Sequence, residues 1–111
     1  MEYLLLIYEN EKRFSKGYEK AELAEYQALG KEFSKQIQAG KALQPTNTAK
    51  TVRMRNGKPA STDGPFAETK EQLGGFYLVE AEDINAALKI AAKIPASRFG
   101  CVEVRPIMKF S

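Results

Sequence analysis

Chemistry in this 111-residue chain is most concentrated in the run DGPFAETKEQLGGFYLVEA, Asp63 to Ala81. Asp63, Glu68 and Glu71 fall within nine positions of one another, beside Phe66 and ahead of Gly74-Gly75. A carboxyl that loses part of its water next to an aromatic ring has a raised pKa and becomes a usable acid or base, so Asp63 and Glu68 are the catalytic candidates. The plainer reading is that Asp63 only braces the turn through backbone hydrogen bonds while Glu68 and Glu71 stay solvated. Arg53 and Arg55 fall on one face of an alternating segment, where guanidinium forks can hold a carboxylate or phosphate; pairing with Glu103 across a sheet is the alternative. Arg53, Phe66, Tyr8 and Tyr77 are the substrate-binding candidates. Tyr26 is a further phenol able to reach a cavity rim.

Several chemistries are excluded or disfavoured. The chain has no histidine, so neither a Ser-His nor a Cys-His pair can form within it. The single cysteine, Cys101, cannot make an internal disulfide and reads as a small hydrophobe at the start of an apolar strand. No metal and no cofactor are expected. The formal charge of +3 comes from 17 basic and 14 acidic residues that are interleaved, and Arg53, Arg55 and Lys58 lack the aromatic neighbours that stack bases, so nucleic acid is not an expected partner. No apolar run is long enough to span a membrane. Tyr3 to Tyr8 follows Glu2 and lacks a small-residue cleavage site, so it reads as the first strand of a cytoplasmic protein.

The elements that must position these residues follow from periodicity. Tyr3 to Tyr8 is apolar at both parities and predicts a central strand covered on two faces. Glu9 to Lys16 reads as a loop into a helix starting near Tyr18. Leu23, Tyr26, Leu29, Phe33 and Ile37 form its inward stripe, Glu22, Glu25, Lys31, Glu32 and Lys35 fall mostly outward, and Gly40 is the expected stop. Lys41 to Pro45 and Ala49 to Arg55 are expected to pair as a hairpin, with Val52 and Met54 on a covered face. Asn56-Gly57 predicts a type I′ turn into a short edge over Pro59 to Thr62. Gly74-Gly75 should close the central loop before a strand from Phe76 to Ala81. Asp83 caps a second helix with Ile84, Ala87, Leu88 and Ala91 inward, Pro95 ends it, and Cys101 to Arg105 is the last strand. The order β-α-β-β-(loop)-β-α-β gives an α+β domain of the split βαβ kind, with two right-handed crossovers placing both helices on one face of an antiparallel sheet. The strands Tyr3 to Tyr8 and Phe76 to Ala81 then have more apolar surface than two helices cover. A second copy is the simplest cover for the other face.

The run DGPFAETKEQLGGFYLVEA, with TVRMRNGKP before it and VEVRPIM at the end, resembles the YCII-related proteins, in particular the branch named for its DGPF motif. The resemblance spans nearly the whole chain. It implies a single domain over residues 1–111, a ferredoxin-like fold that pairs into a dimeric α+β barrel, and a small-molecule site of undefined substrate, for which a polar or anionic metabolite is expected. Some members of the wider group look like lyases or dehydrochlorinases that use a histidine with an aspartate. This chain has Asp63 but no histidine, so any activity would use Asp63 or Glu68 with Arg53 as electrostatic partner, and enzyme status stays open. Related proteins are associated with sigma-factor-like transcription regulators, which leaves a non-catalytic accessory or regulatory module as the alternative. A third reading makes the DGPF loop purely structural.

Overall fold

Alternation along the first strand decides the layering. β1 (Glu2–Glu9) turns Tyr3, Leu5, Ile7 and Glu9 to one face, where all four are buried, and Leu4, Leu6 and Tyr8 to the other, where they are half-covered. The computed structural model describes residues 1–14 and 16–110; Ser15, inside the expected loop, and Ser111 lie outside the described residues. β1 is flanked by β5 (Gln72–Glu80) and β6 (Cys101–Pro106), and β2 (Ile37–Ala42) adds to the far side of β5. All three pairings are antiparallel, which gives the sheet order β2-β5-β1-β6 of a ferredoxin-like fold.

The buried face packs under α1 (Lys20–Glu32) and α2 (Ile84–Ala92), joining Tyr3, Leu5, Ile7 and Val79 to Leu29, Ala87, Ile90 and Ile94 in one core. Leu5, Val79 and Ile94 are fully buried, and each such side chain contributes about 1.5–3 kcal/mol relative to exposure. α2 begins where expected: the Asp83 carboxylate accepts a hydrogen bond from the Ala86 N–H at 2.9 Å. Its inward stripe is Ala87, Ile90 and Ala91, whereas Ile84 and Leu88, expected inside, are exposed. A helix this short meets the sheet along a narrow line, and the small Ala87 and Ala91 set that line.

Three expectations about the middle of the chain are corrected. α1 ends at Glu32, not at Gly40; the N–H groups of Gln36 and Ile37 both return to the Phe33 carbonyl, and Ile37 then enters β2 opposite Val79. The spacing of Phe33 and Ile37 serves a helix face and a strand entry equally well, which is why periodicity missed the break. Gly40 stops nothing: it pairs with Tyr77 inside β2, and a Cβ there would lie 2.6 Å from the Tyr77 ring. Gly74-Gly75 likewise belongs to β5, where a Cβ on Gly75 would meet the Lys41 carbonyl at 2.8 Å.

The third correction concerns pairing. β3 (Lys50–Arg55) does not pair with β2 but with β4 (Lys58–Asp63), in a separate two-stranded sheet. The turn between them is as expected, with positive φ at both Asn56 and Gly57. Val52 and Met54 share a face, yet they are 65% and 60% exposed because no other element among the described residues covers them. This hairpin is an arm. It lengthens the molecule to a slab of 47 × 45 × 18 Å with a radius of gyration of 15.9 Å, against about 13 Å for a compact domain of this size. Lys50, Arg53, Arg55 and Lys58 against Asp63 alone also give the arm the whole formal +3 of the chain.

Candidate functional site

The site forms where β1 runs out. Glu9 is the last inward position of the 3-5-7-9 alternation and is only 4% exposed. The chain then tightens into a 3-10 turn over Glu11–Phe14, with the Arg13 N–H donating to the Asn10 carbonyl, so that Arg13 folds back over the strand end. Its Nη2 donates to Glu9 Oε1 at 2.9 Å and to Glu22 Oε1 and Oε2 at 3.1 and 3.0 Å. Glu22 is buried on the first turn of α1, and its spacing to Tyr26 and Leu29 puts it on the inward side, not the outward side expected from its charge. The Arg13 guanidinium lies 3.8 Å above the Phe99 ring and 4.8 Å from that of Phe14.

Two buried carboxylates around one guanidinium tie strand, turn and helix together, because ions taken from water must be paired. Burial pushes the Glu9 carboxyl above the usual carboxylate range; Arg13 opposes this, and the charges of Glu22 and Glu71 reinforce it. Among the described residues only Arg13 donates to Glu9, and only to Oε1.

Glu9 lines a cavity of about 240 Å³ between α1 and the β2–β5 edge of the sheet, with Ile7, Leu23 and the three phenols of Tyr18, Tyr26 and Tyr77. Gly40, Gly74 and Gly75 line it on the strand side. Burial, then the charges of Glu9 and Glu22, hold the Tyr18 and Tyr26 phenols above their ordinary pKa, and burial alone raises Tyr77, so all three present neutral hydroxyls. The volume lies just below the range of pockets for drug-sized ligands and suits a small molecule. A broader, shallower depression of about 780 Å³ lies by Tyr8, Thr69, Glu71, Phe99 and Cys101. It lacks both the enclosure and the buried charge of the first. Among the described residues no group of three or more acidic or cysteine side chains is placed to hold a metal ion.

The model of the YCII-related domain matches residues 1–111. The chain belongs to the YCII-related family. It is similar to the uncharacterized protein R00369 of Rhizobium meliloti (strain 1021), 42% identical over 80 residues, which are 66% of this chain. The match spans 64% of the length of that relative. Among solved structures, the 5-chloro-2-hydroxyhydroquinone dehydrochlorinase TftG from Burkholderia phenoliruptrix AC1100, in complex with 2,5-dihydroxybenzoquinone, superposes with a TM-score of 0.58 over 97% of this chain and 94% of the other. The two are 16% identical, so the likeness is one of fold.

Within this YCII-related chain the residues singled out by sequence are dispersed. Tyr77 lines the cavity. Tyr8 points to the other sheet face, where its hydroxyl donates to Glu103 Oε1 at 3.5 Å. Asp63 ends β4 with its side chain 90% exposed, 3.6 Å from Lys50 Nζ. The β3–β4 register puts Asp63 with Lys50, Val52 and Met54 on one face of the arm and Arg53 with Arg55 on the other. Phe66 is 81% exposed and Glu68 is exposed, so one chain by itself brings none of Asp63, Glu68, Arg53 and Phe66 to the cavity. The DGPF turn is braced locally: Gly64 has φ +99°, its N–H donates to the Ala49 carbonyl, and the Thr51 hydroxyl donates to the Gly64 carbonyl.

Glu9, Arg13, Glu22 and Tyr18 were missed by sequence reasoning. The signal was present: Glu9 continues the inward parity of β1, Arg13 follows it by four, and Glu22 shares the stripe of Tyr26 and Leu29.

Proposed function

We propose that this YCII-related protein binds a small molecule in the cavity over Glu9 and that Glu9 serves there as acid or base. The observation that carries the reading is a carboxylate buried to 4% exposure, lining a cavity, with one oxygen engaged by Arg13 and the other without a donor from the described residues. A pKa raised by burial moves a carboxyl toward the range in which proton transfer is efficient, a role otherwise open to histidine, which the chain lacks. The neutral phenols of Tyr18, Tyr26 and Tyr77 are proton donors to a bound oxygen. TftG, a dehydrochlorinase of the same fold held with a single-ring quinone, supports a lyase-like reading.

The same reading places the chain in the DGPF-motif branch, on the strength of Asp63-Gly64-Pro65-Phe66, and in the cytoplasm as a homodimer. Support for the dimer comes from the face carrying Leu4, Leu6, Phe76 and Leu78, which no helix covers, and from the uncovered Val52 and Met54 of the arm. In such a dimer Asp63, Glu68, Arg53 and Phe66 act on a site from across the two-fold, and Tyr8 lies inside the barrel.

The test is a thermal-shift screen of wild-type protein and Glu9→Gln against small metabolites. A ligand at about 100 times its dissociation constant adds about 2.7 kcal/mol to stability. Hits should lose their shift in Glu9→Gln, and any turnover should fall by about 10²-fold or more. Hits indifferent to Glu9→Gln but sensitive to Asp63→Ala would move the site to the arm. Stoichiometric recovery of a transcription regulator with no ligand hit would favour the accessory-module reading.

A further inference from the structure

The polar end of the cavity has an excess of negative charge. Glu9 and Glu22 share one guanidinium, and Arg13 spends its Nη2 on both. Among the described residues the one other basic residue at the cavity is Lys41, and the β2–β5 register sets it opposite Phe76, which pairs with Leu6, so its position on β2 has the parity of the outer face. On the cavity side the neighbouring positions are Gly40 and Tyr77. A ligand entering here therefore meets the Glu9 carboxylate, whose Oε2 takes no donor from the described residues, and three phenol rings, and among the described residues that line the cavity Lys41 is the one cation.

Each feature favours the same ligand charge. A carboxylate held out of water gains most from a counter-charge that arrives with its own N–H donors. Aromatic faces attract cations through the ring quadrupole, more strongly when both are desolvated. An anion would have to be buried against Glu9 and Glu22, and a neutral ring would leave the excess charge in place. We propose that the cavity takes a small organic cation, an ammonium carried on an apolar ring or short chain, whose N–H donates to Glu9 Oε2 and whose charge lies among Tyr18, Tyr26 and Tyr77. This rests on the cavity being the ligand site and adds the charge of what fills it.

Benzylamine, benzyl alcohol and benzoate keep the ring and change only the charge, and each is titrated into the full chain with binding followed by amide NMR shifts. Benzylamine binds at least tenfold more tightly than benzyl alcohol, and benzoate binds most weakly. Glu9→Gln brings the amine down to the affinity of the alcohol. Tyr18→Leu, at an exposed ring whose loss does not threaten the core, weakens the amine more than the alcohol and carries the test if Glu9→Gln does not fold. Equal binding of amine and alcohol, or a preference for the amine that survives in both variants, overturns the charge assignment and leaves the cavity as the site. Binding that Gly40→Ala does not change, although its methyl must displace the Tyr77 ring that lines the cavity, overturns the cavity itself. Absence of binding by all three probes overturns both.

Discussion

Glu9 and Asp63 are both carboxylates beside a cation, one at the end of β1 and one at the end of β4, and their surroundings could hardly differ more. Glu9 is held by Arg13 at 2.9 Å, with side chains 5% and 27% exposed; Asp63 faces Lys50 at 3.6 Å with side chains 90% and 78% exposed. In water the Asp63 pair gains little over its own solvation. Out of water the Glu9 pair is obligatory, and its partner is shared with Glu22. The DGPF run has the more conspicuous sequence, but burial gives Glu9 the perturbed chemistry.

Arg13→Met should produce the largest effect. It strands two buried carboxylates, and urea unfolding should show a loss of about 3–5 kcal/mol. A loss below about 1 kcal/mol, the level of an exposed pair, would erase the contrast between the two regions.

Gly75→Ala comes next, because the new methyl meets the Lys41 backbone carbonyl, which cannot rotate away. About 1–3 kcal/mol is expected, as for other overpacked sites. Gly40→Ala, which meets only the movable ring of Tyr77, should cost less, and the reverse order would mean that β2 yields more readily than the ring.

The third effect is a dependence on pH. Because burial raises the folded-state pKa of Glu9 above its unfolded value, its contribution to stability is full below the unfolded pKa and is lost as pH rises through the folded one. Wild-type stability relative to Glu9→Gln should therefore be greatest in acid and decline as pH rises above the ordinary carboxylate range and through the raised folded-state value. Glu25, lowered by its hydrogen bonds with Arg98, has the opposite sign: its contribution is present above the ordinary value and lost as pH falls. A Glu9 gap that widens with rising pH would mean that Arg13 outweighs burial.

Lys50→Met closes the series with a change within about 0.5 kcal/mol, as for most surface positions. A larger loss, especially one that depends on protein concentration, would mean that the arm is covered in solution and that Asp63 is not solvated in the assembly.

The fold was legible wherever one physical requirement acted alone. The pattern in Tyr3 to Tyr8 identified a central strand, Asn56-Gly57 the turn between β3 and β4, and Asp83 and Pro95 the two ends of α2. It was illegible where two requirements coincide: Phe33 and Ile37 satisfy a helix stripe and a strand entry, and Gly40 and Gly75 look like breakers although they are strand residues making room for neighbours. Of the residues singled out as a site, Tyr77 lines the cavity, because its parity on β5 is that of Val79; Asp63 and Arg53 fell on opposite faces of the arm because the register pairs Asp63 with Lys50, three positions from Arg53, and an odd separation reverses the face.

By itself the amino-acid order determined the α+β class and the exclusion of histidine chemistry, since these depend on composition and on periods of two and 3.6. Only the tertiary structure decided that Arg13 and Glu22 close on Glu9 and that Glu9 lines one cavity with three phenols. Desolvation is a property of what closes over a group, and the groups that close over Glu9 come from a turn, a helix and a strand that no local pattern joins.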